Sequence, residues 1–523
     1  MKKKISPKNR DYYEKILPEI DNLKKNNLIN SYIGNKGYSI YKISLNSKII
    51  EFIKKELTVK PFIQSSLVEP NSFPIYLESD KKIYVPRFWG INIFGNPKKL
   101  KISYGKSINL NFNGVLRDYQ TNVLNSYLKA INFEEKEEEN TQGSALIELG
   151  CGLGKTVLGL KIIEQIKKKT IIFVHKTFLK NQWIERIKQY LPDAKIGTIQ
   201  GEVIDIEDKD IVIGMIQSIS IKSYPDNLFD DFGLSIFDEC HHISSETFSN
   251  CLRKCTTLYG LGLSATMTRK DGLTHVFKMY LGNICNKQKK KEEEDNVLVK
   301  AIDYIVLDNE EYNEVERDYR GNVKHTTMLS KVCNLNYRTD FIINVIENEL
   351  KINKEQQIIL LGHQKKLLNY IFKIIELKNI TSVGYYVGGM KEKDLKVSES
   401  KQLILATYAM AAEGLDIPSL TTLILATPKS DIVQSVGRIL REKHSNPLII
   451  DIIDQHDCFA NQFSKRKAFY NEKNYKIIRT NNEKYIEYIK YIKNNEEFNE
   501  EEIWKELVVK SKKSKERNCL IEI

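Results

Sequence analysis

The run Gly150-Cys151-Gly152-Leu153-Gly154-Lys155-Thr156 joins the residue types that hold a polyphosphate. Glycines let backbone N–H groups close around phosphate oxygens, and a helix beginning there adds a favourable dipole. Lys155 in that place reaches the β- and γ-phosphates, and the Thr156 hydroxyl serves a Mg²⁺ ion. The strict pattern has glycine where this chain has Leu149, so a plain glycine-rich turn between strand and helix is the competing reading. Asp238-Glu239 offers what ATP hydrolysis needs, a carboxylate for the metal (Asp238) and a second to orient and deprotonate water (Glu239). His241-His242 has no third ligand nearby and adjacent residues rarely share a side, so His241 reads as a polar coupler to Ser264 and Thr266, not a zinc ligand. Gln434, Arg438 and Arg441 recur at i, i+4 and i+7, one helical face. Two arginines there suit a phosphate that gains charge in a transition state.

Three further groups complete the set. Arg117 and Gln120 share a helix face; Gln120 can pair with an adenine edge, or the helix is simply amphipathic with a polar rim. In the run 407–418, Gly414 permits a tight turn and Asp416 can hold a ribose or an arginine. Thr407 can donate to a strand phosphate, and the alternative is an ordinary loop.

These residues need elements to place them. Residues 145–147 form an apolar run before the glycine turn, and 157–166 have helical spacing after it. Strands at 170–174, 210–213, 234–237 and 258–263 alternate with helical patterns such as 181–190. That alternation implies a parallel sheet with right-handed crossovers. Ligands in such sheets sit beyond the carboxyl ends of the strands, where the glycine turn, Asp238 and Ser264 all fall. Lysines then glutamates at 287–295 read as a solvated linker. A second series follows: strands at 297–306, 357–361, 382–387, 402–406, 423–426 and 447–453, with helices at 338–353 and 365–377. The expected fold class is therefore α/β, two tandem parallel-sheet domains. The expected boundaries are an N-terminal α+β domain at 1–105, a nucleotide-binding domain at 106–286, a linker at 287–296, a second domain at 297–466 and a lysine-rich helical tail at 467–523.

In the N-terminal part, a helix at 11–25 is interrupted or kinked at Pro18. Strand-like runs follow at 38–45, 74–77 and 83–85. Arg87, Phe88, Trp89, Lys98 and Lys99 interleave basic and aromatic residues. Such a mixture stacks on bases and neutralises phosphates, or else supplies the aromatic core of a small domain. In the tail, 484–494 and 499–510 read as helical.

Of 523 residues, 41% are hydrophobic and 28% charged, and no apolar run approaches the ~18 residues of a membrane span. The N-terminus lacks the apolar stretch of a signal peptide. These features point to an intracellular protein. The eight cysteines show neither a disulfide framework nor paired metal spacing. The net charge of +12 favours a polyanionic partner.

The ordered set from Arg117 to Arg441 resembles a superfamily two helicase with a DEAH-like box, here Asp238-Glu239-Cys240-His241. Residues 262–272 are similar to the xeroderma pigmentosum group B helicases and to the poxvirus-type helicases that release transcripts in large cytoplasmic DNA viruses. Residues 85–90 point to the viral branch. In the group B helicases the segment after Ser-Ala-Thr carries Arg-Glu-Asp; here it reads Arg269-Lys270-Asp271. The resemblance implies two RecA-like domains with ATP and Mg²⁺ in their cleft. It implies strand contacts from His175, Lys176, Thr177, Gln217, Ser218, Arg269, His363, Gln364 and Thr407. The expected function is an ATP-dependent DNA helicase or translocase of transcription or repair, acting as a monomer on DNA, an RNA–DNA hybrid or a transcription complex. An RNA helicase and a non-unwinding ATP-gated clamp are the alternatives. A viral source would place it in the host cytoplasm, at the replication site, and in the virion.

Overall fold

Runs of apolar residues buried on both faces form the two main sheets, as parallel strands covered by helices require. The computed structural model describes residues 7–62, 70–150, 152–225, 227–241, 246–268, 271–288, 297–414, 417–439, 447–494 and 498–507. The side chains of 7–15, 247–248, 412–414, 434 and 438–439 are outside that description. By contact the chain divides into two compact units, residues 1–290 and 291–523.

The first unit holds an eight-stranded sheet. Its order is Val203–Asp205, Ile196–Gln200, Ile211–Met215, Thr170–Val174, Leu234–Phe237, Tyr259–Ser264, Ser144–Leu149, Ile284–Gln288. The first pair is antiparallel, and every other neighbouring pair is parallel. The inner strands Ser144–Leu149, Thr170–Val174, Ile211–Met215, Leu234–Phe237 and Tyr259–Ser264 are buried along their whole length. Register aligns their carboxyl ends: Ser264 sits opposite Glu148, Phe237 opposite Gly262 and Phe173, and Met215 opposite Val174.

The same unit carries a five-stranded sheet, ordered Leu77–Glu78, Lys82–Val85, Gly37–Tyr41, Ser31–Gly34, Lys99–Leu100. The helix Pro7–Lys25 runs through Pro18 without the expected interruption. Residues 87–94 form a helix whose Arg87, Phe88 and Trp89 are buried. The core reading of this aromatic–basic run is thus the one the structure supports. Arg87 donates to the carbonyls of Thr141, Thr257, Leu258 and Asn140 at 3.0–3.4 Å. It thereby ties the small sheet to the large one, and burial pulls its guanidinium down to about 10.

The second unit's sheet is ordered Val383–Tyr386, Leu403–Thr407, Gln357–Gly362, Leu420–Leu425, Leu448–Asp454, Leu298–Tyr304, Lys476–Asn481, Lys505–Glu506. The α/β expectation of two parallel-sheet domains is met. In the tail the expected helix at 484–494 is met by Asn482–Asn494, while two other elements differ from the helical reading. Lys476–Asn481 adds a parallel strand beside Leu298–Tyr304. Of the expected helix at 499–510, residues 508–510 lie outside the described residues; the described part is one turn, Glu500–Ile503, then a short strand antiparallel to Lys476–Asn481. Burial of Ile503 and Trp504 against the sheet outweighs the helical spacing.

Candidate nucleotide site and its rim

The strand Ser144–Leu149 ends at Leu149, whose side chain is fully buried. Left-handed backbone appears later, at Gly152 (φ +75°) and Gly154 (φ +74°). Leu149 therefore sits in strand geometry that needs no glycine. A Cβ at Gly152 would meet nothing within 4 Å, so this turn opens onto free space. A Cβ at Gly154 would lie 2.6 Å from Gln120 Nε2. The helix Lys155–Ile166 begins directly after the turn, placing Lys155 and Thr156 in its first turn. Cys151 lies outside the described residues.

Gln120 is buried, and its carboxamide spans two segments. Its Oε1 accepts from the Arg117 N–H at 3.0 Å, and its Nε2 donates to the Leu153 carbonyl at 3.2 Å. Tyr119 reinforces the link by donating its hydroxyl to the same carbonyl at 3.1 Å. Arg117 and Gln120 therefore stand against the glycine turn itself.

The next inner strand to reach the rim is Leu234–Phe237. Asp238 is buried, and burial first, then the charge of Glu239, push its carboxyl up; Lys155 and the Trp183 N–H pull the other way. Glu239 adopts a left-handed φ of +47°. Its Oε1 meets Lys155 Nζ at 2.6 Å, and both side chains are less than one-fifth exposed. His241 Nδ1 is 2.8 Å from Ser264 Oγ and 3.4 Å from Glu239 Oε2. Ser264 Oγ donates to the Thr266 carbonyl at 2.7 Å and accepts the Thr266 N–H at 3.1 Å. Lys155, Asp238, Glu239, His241, Ser264 and Thr266 thus form one connected patch.

The donor set suits a magnesium nucleotide. The glycine turn leaves room for phosphates, and Lys155 is already engaged by an anion in the way a phosphate would engage it. The Thr156 hydroxyl and the Asp238 carboxylate are oxygen ligands of the kind Mg²⁺ takes. Among the described residues no cluster of three or more His, Cys, Asp or Glu forms a separate metal site.

Farther along the rim, His175 follows the strand Thr170–Val174, and its carbonyl accepts from Gln217 Nε2 at 2.6 Å. Thr177 opens the helix Thr177–Tyr190, and Lys176 Nζ stands 5.9 Å from the Phe178 ring centre. Ser218 Oγ accepts the Gly201 N–H at 2.9 Å. The two segments 175–177 and 217–218 are therefore brought together. Arg269 lies outside the described residues.

In the second unit, Thr407 pairs in register with Gly362, which places His363, Gln364 and Thr407 at one carboxyl edge. His363 Nδ1 is 2.7 Å from Thr427 Oγ1, and Gln364 Nε2 donates to Ser330 Oγ at 2.7 Å. Burial, with Lys429 and His325 adding to it, pulls the His363 imidazole down to about 4. Gly414 closes the helix Tyr408–Gly414, and Gln434 and Arg438 lie on the helix Val433–Ile439. The side chains of Gln434 and Arg438, and residues Asp416 and Arg441 entirely, are outside the described residues.

Sequence reasoning missed Trp183, whose Nε1 donates to Asp238 Oδ2 at 2.9 Å. The available signal was a lone tryptophan on the helix after the strand 170–174, with Gly159 one turn beyond Lys155 to receive it.

Comparisons with known proteins bear on this site. Residues 113–269 match the family described as type III restriction enzyme, res subunit. A protein of Acanthamoeba polyphaga mimivirus, named as an ATP-dependent RNA helicase, is 34% identical over 466 residues, covering 86% of this chain and 87% of that protein. A protein of Invertebrate iridescent virus 6, named as a helicase, is 26% identical, covering 71% of this chain and 85% of that protein. A protein of African swine fever virus (isolate Pig/Kenya/KEN-50/1950), named as an ATP-dependent RNA helicase, is 25% identical, covering 64% of this chain and 70% of that protein. Among solved structures, S. cerevisiae Dbp5 bound to RNA and ADP BeF3 is similar with a TM-score of 0.47 and 13% identity, covering 72% of this chain and 97% of that one. Among the described residues no helix is long and apolar enough to cross a membrane.

Proposed function

This chain belongs to the superfamily two helicases, with relatives in large DNA viruses, and we propose that it is a DNA-tracking motor of transcript release, termination or repair. The observation that carries the reading is the 2.6 Å contact of Lys155 with Glu239, set beside buried Asp238 and opposite the open glycine turn. In this reading Gly152, Gly154 and Lys155 hold the phosphates of ATP. Bound Mg²⁺, held by Thr156 and Asp238, would neutralise charge building on the phosphates. Glu239 orients the attacking water and takes its proton. Binding frees Glu239 from Lys155, because the lysine then has phosphate as its counter-charge. His241, Ser264 and Thr266 connect Glu239 to the strand-facing rim, so that grip on nucleic acid and the position of the base change together. Arg438 and Arg441 are assigned to the transferred phosphate, and Gln434 to the same helix face.

DNA is supported by the similarity of residues 262–272 to the group B and poxvirus-type helicases. RNA is the second reading, favoured by the names of the mimivirus and African swine fever virus relatives. Steady-state ATPase rates with single-stranded DNA, duplex DNA and RNA, each across a salt series, test the proposal. Stimulation by DNA that fades with salt is expected, since backbone contacts release counterions. Stimulation by RNA alone moves the chain to the second reading. Absence of turnover with every polymer overturns the motor.

A further inference from the structure

The buried indole of Trp183 has no place in the activity described so far, yet it reaches into the nucleotide site. Its ring is 1% exposed and comes from the helix Thr177–Tyr190. A buried indole N–H needs an acceptor, and the acceptor here is Asp238 Oδ2 at 2.9 Å. The other oxygen, Oδ1, accepts the Glu239 N–H at 3.0 Å. Two donors from separate chain segments therefore fix the plane of this carboxylate. The ring is held in turn by the phosphate-loop helix, where a Cβ on Gly159 would come within 3.0 Å of the indole Cη2. Gly159 lies one helical turn beyond Lys155. The indole is thus clamped between the helix that carries the phosphate-binding lysine and the carboxylate read as the metal ligand. Its own helix starts at Thr177, two residues after His175, whose carbonyl accepts from Gln217.

We propose that Trp183 is the positioning residue of the Asp238 carboxylate. The proposal rests on the reading of Asp238 as the magnesium carboxylate. A tryptophan that only fills space would be replaced by any aromatic ring without consequence for the metal. One that orients a carboxylate through its N–H would not.

Trp183→Phe keeps most of the ring and deletes the donor. Binding of a fluorescent ADP analogue to the full chain, followed by anisotropy in MgCl₂ and in EDTA, separates the two roles. The gain in affinity brought by Mg²⁺ should fall about 10-fold, as expected for a hydrogen bond to a charged group, while affinity in EDTA stays at the wild-type value. The MgCl₂ concentration for half-maximal turnover should rise by a similar factor. Gly159→Ala, which crowds the ring but keeps the N–H, should shift the magnesium gain in the same direction. A folded Trp183→Phe protein with the full magnesium gain overturns the proposal. If Trp183→Phe does not fold, Gly159→Ala decides: a wild-type magnesium gain overturns the proposal, a reduced one supports it. Wild-type protein that binds the analogue without any magnesium gain overturns the reading of Asp238 first, and this proposal with it.

Discussion

Replacing Glu239 by Gln preserves shape and removes one charge from a tightly balanced group. Two opposing terms act on the folded protein. The contact with Lys155 at 2.6 Å is lost as an ion pair; for side chains this far from water it is worth about 1–3 kcal/mol, between the values for exposed and fully buried pairs. The same change removes the neighbouring negative charge that, after burial, pushes the Asp238 carboxyl up, which acts against that loss. Stability should therefore move by no more than about 1 kcal/mol. Lys155→Ala is the contrasting case. There both terms have one sign, because the pair is lost and two adjacent carboxylates face each other uncompensated, so destabilisation of about 2 kcal/mol or more follows. Turnover behaves differently. Without a base for water, Glu239→Gln should lower nucleic-acid-stimulated ATPase about 10²–10⁴-fold while binding nucleotide, whereas Lys155→Ala loses turnover and binding together. Urea midpoints, steady-state ATPase and anisotropy of a fluorescent nucleotide measure all three quantities on the same samples. Equal destabilisation by the two substitutions, or wild-type turnover in Glu239→Gln, would refute the reasoning.

Other perturbations address the second unit. Arg441→Ala should reduce turnover roughly 10³-fold with nucleotide affinity nearly intact; a loss of binding matching the loss of rate would remove it from the transition state. Arg338→Met leaves Asp454, 0% exposed, as an unpaired buried charge, and should cost about 3–5 kcal/mol in urea unfolding. For His363, a folded-state value of about 4 below the ordinary 6.5 means that the unfolded chain binds more protons between those limits. The residue's contribution is complete above pH 6.5 and is lost as pH falls toward 4, so His363→Gln should flatten the fall of the urea midpoint over that window. An unchanged slope would place the titrating group elsewhere.

Much of this was written in the order of residues. Apolar runs at 145–147, 170–174, 234–237 and 258–263 mark strands covered on both faces, and the residues just after them are those a parallel sheet must gather on one rim. What escaped were elements whose identity depends on a partner. Ile196–Gln200 alternates half-buried and buried residues at a sheet margin, and its turn uses Gly201 at φ +58°. Lys476–Asn481 is largely polar and becomes a strand only because Leu298–Tyr304 offers it an edge. Charge also misleads: Arg87 looks like a phosphate contact and is instead a buried donor to carbonyls. The Trp183–Asp238 hydrogen bond joins residues 55 apart, beyond the reach of any periodicity.

Among the described residues the second sheet has no glycine turn that leads into Lys-Thr at a helix start, as 152–156 does in the first; its rim is stiffened by buried ion pairs. Arg338 grips Asp454 with Nε and a terminal nitrogen at 2.6 and 2.7 Å, and donates to the Ala426 carbonyl at 2.9 Å. Arg466 grips Asp451 in the same two-pronged way and donates to the Lys429 carbonyl at 2.6 Å. Tyr408 donates to the Thr427 carbonyl, and His363 meets the Thr427 hydroxyl. Residues 426–429 are thus held from several helices and strand ends, and they lead into the helix Val433–Ile439 that bears Gln434 and Arg438. Pairs so deeply buried contribute little stability beyond what apolar residues of equal volume give, so stability does not account for them. Fixing the loop ahead of the arginine helix does. Arg338→Met with Asp454→Leu should therefore unfold near the wild-type midpoint yet turn over ATP more slowly, because the Ala426 carbonyl has lost the Arg338 donor. A double variant with wild-type turnover would leave this pair with no part in function.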